Sequence, residues 1–335
     1  MVLPVFLAFD DKFVQHACVT AFSIIKNRAI SDSIDFYFLV NDLKQDNIIK
    51  LKGFFSHFPN VNISFLDMSE YFVSSQELKK ISRVMYYRLM IAELFPQLDK
   101  AIYLDCDIVV NGSLAEFYDL DIDNYYLAAV QSPGSRIERF VTDKNNQQIN
   151  YYEYLKNLGM EQDIIESHYI NSGVLLLNTK RIRTSNLLSH MLSIIDSGDY
   201  LYAPDQDVIN VVSQKEKLIL PLTWNFQTSL LFSVKDRSLS RWYENNTTYY
   251  SDLFYYKKNK KLPSIIHFVY NKPWEPLEKK SKYNHLYWNY LKFTPWANER
   301  YSYFLKCFCV LDKIISIRCK SVIKSILQMF RLTRG

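Results

Sequence analysis

The chain has 335 residues and is 48% hydrophobic, enough for one large domain or two modest ones around a filled core and too apolar for a disordered protein. Only 7 glycines are present, and neither GxxxxGKS/T nor GxGxxG occurs, which excludes the Gly-rich phosphate cradles. The net charge of +5 is concentrated in residues 301–335, where seven Lys/Arg stand against Asp312 alone; the body is near neutral and carries no basic stripe for nucleic acid.

Val2–Phe9 is a continuous apolar run, which predicts a strand buried on both faces and is too short for a signal peptide or a membrane span. Asp10-Asp11 ends it. A helix is expected over 14–26, a strand over 34–40, a helix over 43–57 and a strand over 61–66. Val84, Tyr87, Leu89, Ile91 and Leu94 give residues 82–95 helical spacing, stopped at Pro96. Lys100–Leu104 is a further apolar strand that delivers Asp105 and Asp107 at its C-terminal end. Residues 132–168 are polar and read as a loop-and-helix insertion over the site. Gly173–Asn178 is a buried strand, 185–197 and 205–212 are helices, and Leu262–Val269 is a late strand containing His267. This alternation predicts an α/β domain with a mostly parallel central sheet, whose ligands bind beyond the carboxyl ends of the strands.

Beyond Phe304 the pattern changes. Leu311, Ile315, Cys319, Val322, Ile326 and Phe330 recur at helical spacing among lysines and arginines, which predicts basic amphipathic helices. Five cysteines, odd in number and without CxxC spacing, point to a reducing compartment rather than a disulfide framework.

Asp105 and Asp107 are two carboxylates one residue apart at a strand end, able to converge on a hard divalent cation that shares its coordination with substrate phosphates. Turn aspartates after a strand give the same spacing. Asp105-Cys106-Asp107-Ile108-Val109 also fits the DxDxV signature of haloacid-dehalogenase-type phosphohydrolases, although that class opens its domain with the motif and here about a hundred residues precede it. His267-Phe268-Val269-Tyr270-Asn271-Lys272-Pro273-Trp274 brings an imidazole, a cation and a rigid Pro-Trp turn into one short loop.

Six segments in order carry a resemblance: Ala8-Phe9-Asp10-Asp11, Tyr87-Arg88-Leu89, Tyr103-Leu104-Asp105-Cys106-Asp107, Tyr169-Ile170-Asn171-Ser172-Gly173-Val174, Asp205-Gln206-Asp207-Val208-Ile209-Asn210 and His267 to Trp274. Over about residues 3–275 the chain resembles the retaining glycosyltransferases of family 8, in particular the bacterial lipopolysaccharide and lipooligosaccharide α-galactosyl- and α-glucosyltransferases. The resemblance implies a GT-A nucleotide-sugar-binding fold and a UDP-sugar donor. It implies Mn²⁺, with Mg²⁺ as the alternative, on Asp105, Asp107 and His267. Ala8, Asp10 and Asp11 would face the nucleotide, and Lys272 the diphosphate. Arg88, Asn171, Asp205 and Gln206 would contact the transferred sugar, with Gln206 nearest the anomeric carbon. Two departures from the family pattern stand out: Lys12 beside the nucleotide segment, and Val269-Tyr270-Asn271 in a His-to-Lys loop one residue shorter, without the expected glycine.

The expected organisation is a GT-A domain over 1–275, a connecting region packed on it over 276–303, and a basic tail over 304–335 that attaches to an anionic membrane surface. An enzyme of this kind would work in the cytoplasm, peripheral to the inner face of the membrane, on a saccharide or glycolipid acceptor. The rival to catalysis is a protein that binds a UDP-sugar without turning it over.

Overall fold

The computed structural model describes residues 1–73, 82–132, 140–142, 147–197, 201–232, 247–259, 261–270, 272–276, 280–298 and 303. The basic tail expected over 304–335 lies outside the described residues.

Seven strands form the main sheet: β1 (Val2–Asp10), β2 (Ser33–Asn41), β3 (Val61–Asp67), β4 (Ala101–Leu104), β6 (Leu127–Ala129), β9 (Val174–Leu177) and β10 (Lys217–Ile219), in the order β10-β6-β9-β4-β1-β2-β3. Neighbours run parallel except where β9, reversed, pairs with β4 and β6. A second sheet joins β5 (Ile108–Val110), β11 (Phe226–Gln227) and β12 (Ile265–His267), and β7 (Phe140–Thr142) pairs with β8 (Gln148–Asn150) as a separate ribbon.

The apolar run of β1 is split by the pleat between two cores. Leu3, Val5, Leu7 and Phe9 face one, shared with the helix Val14–Asn27; Phe6 and Ala8 face the other, with Tyr87, Leu89, Val208 and Ile209. Burial on both faces explains why the strand reads as unbroken hydrophobicity rather than alternation. The helix Val14–Asn27 is also tied by hydrogen bonds to the segment that follows β4. Thr20 Oγ1 donates to the carbonyls of Cys106 and Ile108, and Ser23 Oγ accepts from Val110 N.

The segment expected as one helix over 82–95 is instead a 3₁₀ run, Arg83–Met90, followed by one α turn, Ile91–Leu94. At three residues per turn, Met85 and Arg88 stack on one side, and the Met85 carbonyl accepts from Arg88 Nε at 2.9 Å. Both face the cleft described below. The described parts of the 132–168 insertion are the β7–β8 ribbon, the helix Tyr151–Asn157 and short turns to His168, which enclose a small core against Val211 of the helix Pro204–Ser213. The helix Asn284–Leu291 packs on Val14–Asn27, where Asn27 Nδ2 donates to Tyr290 Oη at 2.7 Å.

Candidate active site

Asp105 and Asp107 leave the end of β4, and the chain turns into β5. There β12 pairs antiparallel with β5 and sets His267 opposite Ile108, while Phe268 N donates to the Asp107 carbonyl at 2.9 Å. This register brings a histidine from far along the chain to the carboxylate pair. Nε2 of His267 lies 3.1 Å from Asp107 Oδ1 and 3.7 Å from Asp105 Oδ2, and ligand atoms of all three residues fall within 4.8 Å of one another. His267 is 3% exposed, and its Nδ1 meets Asn225 Oδ1 at 3.1 Å. A histidine held at one nitrogen by an oxygen and facing two carboxylates with the other is the arrangement of a metal-ligating imidazole.

Gly173 completes the fit. A Cβ there would lie 2.3 Å from His267 Cε1 and 2.5 Å from Asp105 Oδ2, so the backbone approaches the triad closely only because no side chain is present. Two carboxylate oxygens and one imidazole suit a hard divalent cation that keeps open positions for phosphate oxygens. Lys272 Nζ pairs with Asp107 Oδ2. Burial works to raise the Asp107 carboxyl, but His267 and Lys272 outweigh it and hold the group well below the usual carboxylate range.

Behind the triad, buried Arg88 reaches Asp105 Oδ1 at 2.9 Å and Asp205 Oδ2 at 3.1 Å, donates to the Ser172 carbonyl at 2.8 Å, and stacks its guanidinium over Tyr103 at 4.3 Å. One cation thus joins the end of β4 to the start of the helix Pro204–Ser213. Burial raises the Asp205 carboxyl; Arg88 opposes this and Asp105 adds to it, and the net shift is upward. Ser172 Oγ donates to Asp205 Oδ2 at 2.8 Å. Gln206 Oε1 accepts from Asn171 Nδ2 at 3.1 Å and from Ser172 N at 3.3 Å. Asn171, Asp205 and Gln206 are therefore brought together, from two segments.

A cleft of about 330 Å³ opens at the carboxyl ends of β1 and β4, lined by Ala8, Asp10, Phe13, Met85, Arg88, Asp105, Asp107 and Lys272, among others. Asp10 Oδ1 accepts from Lys12 N and Phe13 N at 3.0 and 3.1 Å, which fixes the turn into the helix Val14–Asn27. Asp11 does not line the cleft. Its carboxylate accepts from Lys44 N and Asn47 Nδ2 and pairs with Lys44 Nζ, at the start of the helix Gln45–Phe55, where a negative charge is favoured. Adjacent residues at a strand end point opposite ways, so Asp10 faces the cleft and Asp11 the helix.

The chain that builds this carboxylate pair and histidine, backed by buried amides and a buried arginine, matches the glycosyl transferase family 8 model over residues 4–278. The chain belongs to glycosyltransferase family 8. It is 26% identical to General stress protein A of Bacillus subtilis strain 168 over 296 residues, 86% of this chain and 92% of that protein. It is 27% identical over 313 residues to a lipopolysaccharide 1,2-glucosyltransferase of Escherichia coli K12, 85% of each chain. Among solved structures, the bifunctional glycosyltransferase WbbM superimposes with a TM-score of 0.76 at 24% identity, over 90% of this chain and 51% of that one; the present chain spans about half of WbbM. An active-site mutant of LgtC superimposes with a TM-score of 0.69 at 19% identity, covering 88% of this chain and 96% of LgtC. The fold of this family 8 transferase is thus GT-A, and its DxDxV segment belongs to a transferase rather than a phosphohydrolase.

Several groups of the transferase site carry no signal in the sequence. Asn225 follows a three-residue 3₁₀ turn, Leu222–Trp224, and resembles any loop asparagine. Phe13, 41% exposed at the cleft edge, reads as an ordinary helix-preceding aromatic. His16 stacks on Trp274 with ring centroids 3.6 Å apart and meets Tyr287 Oη at 2.7 Å through Nδ1. Burial drives the His16 imidazole down to about 3, against the pull of Asp107 and with the help of Lys272, so it serves as a neutral plate holding the loop that carries Lys272.

In that loop Tyr270 takes φ +63°, the left-handed conformation that glycine adopts freely. Tyr270 thus holds a glycine-like backbone in the loop where the resemblance implies a glycine. Tyr270→Gly is expected to stabilise the transferase or leave it unchanged, within about 1 kcal/mol, because strain relief opposes added unfolded-state entropy. Thermal melting checks this, and a loss of several degrees would count against the left-handed assignment.

Proposed function

We propose that this transferase moves galactose or glucose from a UDP-sugar to a saccharide acceptor of lipopolysaccharide, lipooligosaccharide or another cell-surface glycan, with retention at the anomeric carbon and with Mn²⁺ on Asp105, Asp107 and His267. The observation that carries the reading is the convergence of these three residues beside a cleft lined by Asp105, Asp107 and Arg88, with Arg88 linking it to the buried Asn171–Asp205–Gln206 cluster behind. Two similar proteins support the choice of hexose and acceptor class: the lipopolysaccharide 1,2-glucosyltransferase, and the galactosyltransferase LgtC, solved in complex with donor and acceptor sugar analogues.

In this reading Ala8 and Asp10 hold the uridine, with Phe13 as an exposed ring available to the base, and Lys272 exchanges Asp107 for the diphosphate. A divalent cation bound there supplies Lewis-acid stabilisation of the charge on the departing UDP. Carbonyl oxygens of Asn171 and Gln206 and the Asp205 carboxylate stabilise positive charge on the sugar. An amide is a poor nucleophile, and Asp205 is engaged by Arg88 and Ser172, which favours front-face attack. The acceptor oxygen bonds to C1 as the C1–O bond to UDP breaks, and the acceptor proton passes to the leaving phosphate oxygen. A sugar adduct trapped on Asp205 or another carboxylate would overturn this route.

The test is a panel of UDP-sugars with Mn²⁺, scored by UDP release, beside a panel of phosphate esters. Release from UDP-galactose or UDP-glucose is expected, abolished by chelation. Binding without release would make the chain a UDP-sugar-binding protein.

Among the described residues no helix is long and apolar enough to cross a membrane. The basic tail is proposed to hold the enzyme on the anionic inner face of the cytoplasmic membrane, at about 1 kcal/mol per basic residue near the lipid. Deleting residues 304–335 is expected to leave UDP-sugar hydrolysis intact and move the protein to the soluble fraction. Unchanged membrane association would remove the tail from the account.

A further inference from the structure

Six side chains form a single run of hydrogen bonds from the triad to a buried carboxylate. His267 Nδ1 meets Asn225 Oδ1 at 3.1 Å; Asn225 Nδ2 donates to Asn171 Oδ1 at 2.8 Å; Asn171 Nδ2 donates to Gln206 Oε1 at 3.1 Å. Gln206 Nε2 then donates to Tyr169 Oη at 2.9 Å, and Tyr169 donates to Asp207 Oδ1 at 2.6 Å. Asp207 and Asn225 are 0% exposed, and Tyr151, Tyr154 and the Ala203 amide also donate to Asp207.

The direction of this run is not a free choice. A carboxylate accepts only, so Tyr169 must donate to Asp207 and accept from Gln206. Ser172 N, which can only donate, also meets Gln206 Oε1; Gly173 N likewise donates to Asn171 Oδ1 at 3.1 Å. Two backbone amides and one carboxylate therefore agree on the orientation of Gln206 and Asn171. With Asn171 Oδ1 facing Asn225, Asn225 must offer its amide hydrogens there and its oxygen to His267. Reversing Asn225 would set oxygen against oxygen at 2.8 Å, a buried repulsion in place of a hydrogen bond.

We propose that Asn225 is a positioning residue that holds a proton on Nδ1 of His267, so that Nε2, which faces Asp107 Oδ1 at 3.1 Å, is the nitrogen that gives up its proton to take the cation, and that it locks the Asn171 amide with its NH₂ toward Gln206. The metal site and the sugar-facing amides are thereby set by one side chain that touches neither the cation nor the donor. The inference rests on the metal-assisted transfer reading above. Asparagine is required because the position must accept on one side and donate on the other.

Asn225→Asp and Asn225→Leu separate the two duties. Aspartate keeps the acceptor for His267 but opposes Asn171 with a second oxygen. Mn²⁺ affinity, read by electron paramagnetic resonance on the donor-free protein, is expected to be unchanged or tighter, while kcat falls about 10–100-fold. Leucine removes both bonds: Mn²⁺ affinity is expected to fall about 10–100-fold, and ¹⁵N NMR of the metal-free protein, at a pH where the ring holds one proton, is expected to find that proton moved from Nδ1 to Nε2, toward Asp107. Wild-type His267 protonated on Nε2 alone would overturn the proposal. So would an Asn225→Leu protein with wild-type tautomer and affinity, or equal loss of affinity and kcat in both variants. If the leucine variant does not fold, the wild-type tautomer and the aspartate variant decide. A wild-type protein with the expected tautomer but no Mn²⁺-dependent UDP release would strike the function reading and leave the tautomer assignment standing.

Discussion

Gly173→Ala is expected to abolish metal-dependent transfer in a protein that still folds. The added methyl would lie 2.3 Å from His267 Cε1 and 2.5 Å from Asp105 Oδ2, inside the contact distance of both. Neither side chain can simply yield. His267 is buried and held through Nδ1, and Asp105 is held by Arg88 and by Tyr103 Oη at 3.0 Å. The triad must open, and Mn²⁺ affinity and kcat/KM should each fall by about two orders of magnitude or more. Calorimetric titration with Mn²⁺ and a UDP-release assay check this beside a melting curve. Near-wild-type Mn²⁺ affinity would show that the close approach of β9 to the triad is not a condition of the site.

Arg88→Met carries the largest expected cost in stability. It leaves the Asp105 and Asp205 carboxylates without their shared cation, and the loss of one partner from a buried ion pair costs about 3–5 kcal/mol. The pH dependence has a definite sign. Asp205 is already shifted upward by burial with Arg88 opposing, so removing Arg88 raises it further. A carboxyl whose folded-state value lies above its unfolded value binds more protons when folded. The destabilisation is therefore greatest at neutral pH and eases as pH falls toward the ordinary aspartate value. Urea denaturation at pH 8 and pH 5 reads this: the variant should recover stability relative to wild type at the lower pH. Equal deficits at both would mean that the charge of Asp205 is not what Arg88 compensates.

Elements with a strong periodic or continuous apolar signal were legible in sequence. The runs of β1, β2, β4 and β9 are buried on one or both faces and that of β3 is half-buried, and the helices Val14–Asn27 and Pro204–Ser213 carry apolar residues at helical spacing. Shorter pieces were not. β5, β6 and β10 have three residues each and β11 two, too few for any period to register, whereas β12 lies within the strand expected over Leu262–Val269. The segment at 82–95 reads as one helix because 3₁₀ and α turns share an apolar spacing of three to four residues. Its tighter pitch accompanies Arg88's reach to Asp105, Asp205 and Ser172 at once.

The sequence by itself determined the family, the carboxylate pair at the end of an apolar strand, and the amide-rich segments at Asn171 and Gln206, because each is a short local pattern placed by a well-marked element. The tertiary structure alone decided that β12 lies against β5 in a register that brings His267 to Asp107, and that Asp11 caps a helix while Asp10 faces the cleft. It also decided that Asn225 joins His267 to the Asn171 and Gln206 amides, and that Asp207 sits in a cage of three tyrosines. The physical reason is common to all of these. A buried hydrogen bond or ion pair is specified by which atoms meet across distant segments, and neither the spacing nor the composition around a single residue records its partner.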